Sequence, residues 1–238
     1  MGHNNNHLDR RTALKLGGGG LWGLATGELS WGLAKSAAAA NLSMGVAVPS
    51  PQEALDRLIA GNLRFTQHHL EHPDQSENRV KELTQAQHPF ATVLSCADSR
   101  VTAEIIFDQG LGDIFDVRVA GNIATPEIVG SIEYAVALLG TPLLMVLGHE
   151  RCGAVIAAVE NQPLPGAMGS VVRAILPAVN PVRGLPGDPV DNAVSANVRY
   201  QVGQLLRSQL ICDRQQSGQL QVVGARYDLD TGTVTLVT

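Results

Sequence analysis

At 238 residues, 45% hydrophobic and 16% charged, the chain has the composition of one globular α/β domain with a sizeable buried core. Its formal charge of −5 hides an imbalance. Residues 1–40 carry +2 (Arg10, Arg11, Lys15 and Lys35 against Asp9 and Glu28), which leaves −7 for the rest, where Lys81 is the only lysine. No basic stripe remains to hold nucleic acid, so that function class is excluded.

The first 40 residues read as a leader. Asp9-Arg10-Arg11-Thr12-Ala13-Leu14-Lys15 resembles a twin-arginine export signal, and a weakly apolar, Gly-rich stretch follows from Leu16 to Leu33. Ala34 to Ala40 then offers small-residue cleavage sites. Glu28 and the glycines make a poor membrane anchor, because a spanning helix wants about 20 mostly apolar residues. The expectation is an export signal over 1–40, cleaved in the mature protein, a linker over 41–50 and one domain over 51–238. The destination is left among periplasm, thylakoid lumen and outer surface, with membrane association open.

Pro51 opens the first helix, and Ala54, Leu55, Leu58, Ile59 and Phe65 recur at helical spacing to about His69. On that reading His68 and His72 share one helical face at a solvated end. A short helix is expected near Val80–Ala86. Phe90–Ser95 reads as the first core strand, and Ile114–Val119, flanked by Gly112 and Gly121, as the second. Glu127–Leu139 is helical by its apolar face, Pro142–Leu147 is a third buried strand, and Cys152–Glu160 opens another helix. The Pro- and Gly-rich segment 163–189 is expected to loop around one short helix, and Ala193–Asp213 to form a single long one. Leu220–Asp228 and Gly232–Val237 flank Asp230-Thr231-Gly232, a hairpin-like turn signal. Alternating strands and helices predict an α/β fold with a mainly parallel sheet, whose sites gather at the carboxyl ends of the strands.

Two clusters stand at such ends: Cys96-Ala97-Asp98-Ser99-Arg100 and His149-Glu150-Arg151-Cys152. Together they offer two thiolates, an imidazole, a carboxylate and a guanidinium. That set suits a catalytic zinc site with three protein ligands, since a structural zinc is normally closed by four. The chain has three cysteines, and Cys212 is remote in a polar helical stretch. His149 and Cys152 can be aimed at one metal by one strand-to-helix turn, with Cys96 arriving from a neighbouring strand. The plainer alternatives are buried cysteines acting as small hydrophobes and an ordinary Asp98–Arg100 ion pair. Glu104 and Asp108 read as caps or surface charges, and Gly153 as a site of close packing after the turn.

The Cys-x-Asp-x-Arg and His-x-x-Cys patterns resemble those of the β-class carbonic anhydrases. So do Arg118-Val119-Ala120-Gly121-Asn122, Ser131-Ile132-Glu133-Tyr134-Ala135-Val136, Asn197-Val198-Arg199-x-Gln201-Val202 and the segment Gly224 to Gly232 with Tyr227-Asp228. The likeness covers most of residues 51–238. It implies that family's fold, with a long N-terminal helix, and one Zn2+ per subunit held by Cys96, His149 and Cys152. The implied reaction is reversible hydration of carbon dioxide to bicarbonate and a proton through zinc-bound hydroxide.

By the same resemblance Asp98 and Arg100 are the catalytic dyad. Paired charge-assisted hydrogen bonds from Arg100 would hold Asp98 off the metal; a released Asp98 could become a fourth ligand in an inactive state. Gln87, Phe115, Ala120 and Tyr134 match substrate-pocket residues. Gln87 and its neighbours reach across a dimer interface in the family, which implies a homodimer or homotetramer. Val93 stands where one subgroup carries the tryptophan of an inhibitory bicarbonate site, so no such regulation is expected, although Arg118 matches another member of it. The alternatives are a carbonyl sulfide or carbon disulfide hydrolase on the same scaffold, and a non-catalytic zinc-binding protein, which would not need the dyad.

Overall fold

Ser50 starts helix α1 (Pro51–Thr66) with a reciprocal cap: its hydroxyl accepts from the Glu53 amide while the Glu53 carboxylate accepts from the Ser50 amide. The computed structural model describes residues 48–237, so the expected leader lies outside the described residues. The helix ends at Thr66, three residues before the expected end, because the chain then turns left-handed at His68 (φ 57°) and His72 (φ 49°). The shared helical face of these two histidines is therefore corrected. Asp108 draws the chain away: its buried carboxylate accepts from Arg64 Nε at 2.6 Å and from the amides of Glu71 and His72 at 3.0 Å. It is an internal tie rather than a surface charge.

Helix α2 (Glu77–Leu83) lies slightly before its expected place, capped by Ser76. Next come β1 (Ala91–Ser95), the unforeseen short helix α3 (Ala103–Ile106), β2 (Ile114–Arg118) and α4 (Pro126–Tyr134). The expected helix over Glu127–Leu139 relaxes into a π turn at Ala135–Leu139 and stops at left-handed Gly140. Strand β3 (Leu143–His149) is longer than expected and takes in His149 itself. Helix α5 (Gly153–Glu160) follows. The Pro/Gly-rich segment holds a 12-residue helix, α6 (Met168–Val179), and the single long helix expected next is two, α7 (Pro189–Leu205) and α8 (Gln209–Gln216). The break belongs to Ser208, whose hydroxyl donates to Glu133 at 2.6 Å and accepts from the Ile211 amide, restarting the helix as an N-cap. Strands β4 (Gln221–Tyr227) and β5 (Val234–Val237) form the expected hairpin.

The five strands stand in the order β2-β1-β3-β4-β5; the first four are parallel, and β5 closes the edge antiparallel. Every residue of β1 and β3 is buried, the mark of parallel strands covered on both faces. One face packs α1 and α3 through Leu58, Ile106 and Phe107. The other packs α4, α7 and α8 through Ile132, Val198 and Ile211. Asn62 locks α1 to both α3 and the hairpin: its amide donates to the carbonyls of Ile106 and Gly232, and its oxygen accepts from the Val234 amide.

Candidate metal centre

The strand order reverses between β1 and β3, the switch point where ligands bind in open parallel sheets. Cys96 directly follows β1, His149 ends β3, and Cys152 is the residue from which α5 starts. Their relative exposures are 5%, 0% and 2%, and their ligand atoms lie within 4.8 Å of one another. The two sulfurs are 4.0 Å apart. His149 Nδ1 stands 2.8 Å from the Glu150 carbonyl, which assigns the ring proton to Nδ1 and leaves a lone pair on Nε2. Among the described residues buried Nε2 has no hydrogen-bond partner. An orphaned imidazole nitrogen facing two thiols is satisfied by a cation, and this N/S donor set fits zinc.

The two thiols are shifted in opposite directions. The hydrogen bond from Cys152 holds the Cys96 thiol below its ordinary range against burial, while giving that bond, and burial itself, push Cys152 up. The Gly121 amide donates to Cys96 Sγ at 3.3 Å. Gly121 is left-handed at φ 71°, and a side chain there would press on Ile175 at 2.6 Å. Asn197 Nδ2 donates to the Gly121 carbonyl, and Gln201 Nε2 donates in turn to Asn197 Oδ1. The α7 residues noted in the sequence thus hold the thiolate's donor in place.

Asp98 and Arg100 form a bidentate pair: Arg100 Nε donates to Oδ1 at 2.9 Å and Nη2 to Oδ2 at 2.8 Å. These bonds, above all, hold the Asp98 carboxyl well below the usual carboxylate range. Its Oδ2 lies 3.9 Å from His149 Nε2. Beneath this loop Ser95 Oγ donates to Asp116 Oδ1 at 3.4 Å, and burial together with the nearby Glu104 charge pushes Asp116 up to about 6. A carboxyl raised in the folded state binds more protons there than unfolded, so stability falls as pH rises from about 4 to about 6 and levels off above. Asp116→Asn should remove that slope: its melting temperature should match the wild type near pH 4 and exceed it near pH 8. Equal melting temperatures at pH 8 would refute the effect.

The turn between His149 and Cys152 is fastened to the hairpin. Glu150 accepts from Arg226, which also donates to Asp191 at 2.9 Å, and from the Leu229 amide at 3.3 Å. Left-handed Arg151 (φ 48°) pairs with Asp230 at 2.7 and 2.9 Å. The Arg151–Asp230 pair is over half exposed on both sides, whereas Glu150 and Arg226 are 14% and 24% exposed. Exposed pairs contribute about 0–1 kcal/mol, while partners that orient a ligand alter metal affinity about 10- to 100-fold. Glu150→Gln should therefore weaken zinc by that larger factor in chelator competition, and Asp230→Asn by little. The reverse order would refute this assignment.

Ala120 and Gly153 line an apolar cavity of about 230 Å³ beside Cys152, together with Ala154, Ala157 and Met168. A Cβ on Gly153 would meet nothing within 4 Å, so the expected close packing there is corrected: this glycine opens space instead. The other pocket residues are elsewhere. Phe115 and Tyr134 sit together, ring centroids 6.3 Å apart, but Phe115 is in register with Thr92. That register lies four residues behind Cys96, roughly 13 Å at the rise of a strand. Gln87 is exposed ahead of β1. Cys212 lies apart on α8, accepting from Gln216.

The fold and centre define a class: a parallel α/β scaffold with a buried Cys-His-Cys donor set beside a restrained carboxylate. The family pattern of the carbonic anhydrases matches residues 91–234. Carbonic anhydrase 2 of Mycobacterium tuberculosis is 43% identical over 192 residues, 79% of this chain and 93% of that protein. The carbonic anhydrase of Mycolicibacterium smegmatis is 42% identical over the same span. The solved β-carbonic anhydrase CcaA matches with a TM-score of 0.63 at 27% identity, over 76% of this chain and 94% of that one. The chain belongs to the carbonic anhydrase family, in its β class.

Proposed function

We propose that this protein catalyses the zinc-dependent, reversible hydration of carbon dioxide to bicarbonate and a proton. The observation that carries the reading is the unpartnered His149 Nε2, set among two thiols with the Arg100-held carboxylate of Asp98 3.9 Å away. Cys96, His149 and Cys152 would hold the zinc, which when bound supplies the Lewis acidity that brings the pKa of a water toward ~7. Asp98 stays ionised beside Arg100, so its Oδ2 accepts a hydrogen bond and never donates one. In that state it would orient the oxygen that attacks carbon dioxide. His149, its Nδ1 proton committed to the Glu150 carbonyl, presents only Nε2 to the metal. The apolar cavity beside Ala120 suits a substrate without charge. The proton released must pass to bulk water, and Arg100 at the rim is half exposed.

Stopped-flow hydration by zinc-loaded protein tests this. Turnover well above the buffer rate is expected. Undetectable hydration alongside turnover of carbonyl sulfide would overturn it, and zinc binding without either would point to a non-catalytic role.

A homodimer or homotetramer is the assembly the family resemblance implies; in it Gln87, Phe115 and Tyr134 would line a neighbour's pocket, which fits Phe115 standing in register with Thr92, four residues behind Cys96. An export leader over 1–40 fits too, because the twin-arginine route carries proteins already folded and metal-loaded. Both tryptophans, Trp22 and Trp31, belong to that segment. Native material should lack tryptophan emission, and retained emission would defeat cleavage.

A further inference from the structure

Arg118, the last residue of β2, reaches across the carboxyl end of the sheet to the loop that follows β1. Its Nε donates to the carbonyl of Cys96 at 3.3 Å and its Nη2 to the carbonyl of Asp98 at 2.8 Å. One guanidinium thus spans the backbone of a metal ligand and that of the carboxylate facing the metal. The remaining ties of Asp98 are internal to its own loop: the Arg100 amide and guanidinium hold its carboxylate, and the Val101 amide donates to its carbonyl. Arg100 therefore sets the direction of the carboxylate within the loop, while Arg118 sets the loop against the sheet. The rigid fork suits this task, and a lysine ammonium is a point donor that cannot reproduce it.

We propose that Arg118 is a positioning residue for the hydration reaction: it fixes the Cys96–Asp98 segment so that Asp98 faces the metal without becoming its ligand. The inference rests on the zinc hydration reading above. The margin it protects is small. Asp98 Oδ2 is 3.9 Å from His149 Nε2, so the carboxylate already stands beside a ligand atom and is kept from joining the ligand set by its ties alone. Arg118 itself is exposed, so its replacement should leave the core intact.

The test uses the full chain with Arg118→Met and Arg118→Lys, each alone and with Asp98→Ala, loaded with zinc for kinetics and with cobalt for visible spectra. Arg118→Met should retain one metal per subunit and lower kcat about 10- to 100-fold with KM little changed, the range for residues that orient a site. Arg118→Lys should recover part of that loss. In the Asp98→Ala background Arg118→Met should change kcat and the cobalt spectrum far less than it does with Asp98 present, because its main effect runs through Asp98. A wild-type kcat in Arg118→Met, loss of metal, or an equal loss in the Asp98→Ala background would overturn the proposal. A wild-type protein that binds zinc without hydrating carbon dioxide would overturn the hydration reading instead. The cobalt spectra would then still decide whether Arg118 places Asp98.

Discussion

Cys152→Ser is expected to give a folded protein that no longer retains stoichiometric zinc and no longer hydrates carbon dioxide above background. Cys152 is 2% exposed and sits at the N-cap of α5, a position serine favours, so the smaller side chain should start the helix as well or better. The chemistry at the metal is what changes. Two thiolates and a neutral imidazole give zinc two compensating negative charges, and a serine hydroxyl does not ionise at neutral pH. The two sulfurs stand 4.0 Å apart, close enough to share one metal ion. Loss of a direct ligand should exceed the roughly 10- to 100-fold loss typical of residues that only support ligands. Metal analysis after dialysis against a mild chelator, paired with stopped-flow hydration, checks both halves. A serine variant holding one zinc per subunit and hydrating within about tenfold of wild type would mean that the two sulfurs are not a metal site.

Cys96, His149 and Cys152 are legible in the sequence because each terminates or follows an apolar strand run, and parallel sheets collect their chemistry there. Asp98 and Arg100 are legible for a related reason, since their pairing is local, two residues apart on one loop. Arg118 and Gly121 are harder to read because they act through the backbone. Arg118 grips carbonyls, and Gly121 offers an amide, so neither leaves a complementary side chain to be noticed. The same reason hides Asp108, whose partners are mostly amides. In the fold, Pro and Gly content over 163–189 masks the periodic stripe Val172, Ile175, Ala178 and Val179 that makes α6 a full helix. The break between α7 and α8 hides behind continued helical periodicity through Leu205, Leu206 and Leu210, and only Ser208 marks it. Phe115 and Tyr134 carry the right residue types, but Phe115 lies in register with Thr92, four residues behind Cys96, a displacement that spacing along the chain does not show.

Gly61→Ala should destabilise the domain by about 3 kcal/mol or more, against the usual direction of that exchange. In an exposed helix interior, glycine to alanine gains up to about 1 kcal/mol. Gly61 is buried on the face of α1 that meets the end of α3, and an added Cβ would fall 1.7 Å from the Phe107 carbonyl oxygen and 2.9 Å from Gln109 Nε2. Phe107 is fully buried and its carbonyl already accepts from Gln109 at 2.7 Å, so this stretch of backbone has nowhere to retreat. Helix α1 must back away instead. Overpacking of this kind costs about 1–3 kcal/mol. The retreat also strains the three hydrogen bonds of neighbouring Asn62, each worth about 1 kcal/mol net. For a domain of this size 1 kcal/mol moves the melting temperature by about 2–4 °C, so a fall of roughly 6–12 °C is expected. Gly130→Ala is the control: it sits in α4 with nothing within 4 Å of its added Cβ, and should hold or raise the melting temperature. A Gly61→Ala protein melting with the wild type would mean that α1 does not dock on Phe107. The packing of α1 against the end of α3 would then need another account.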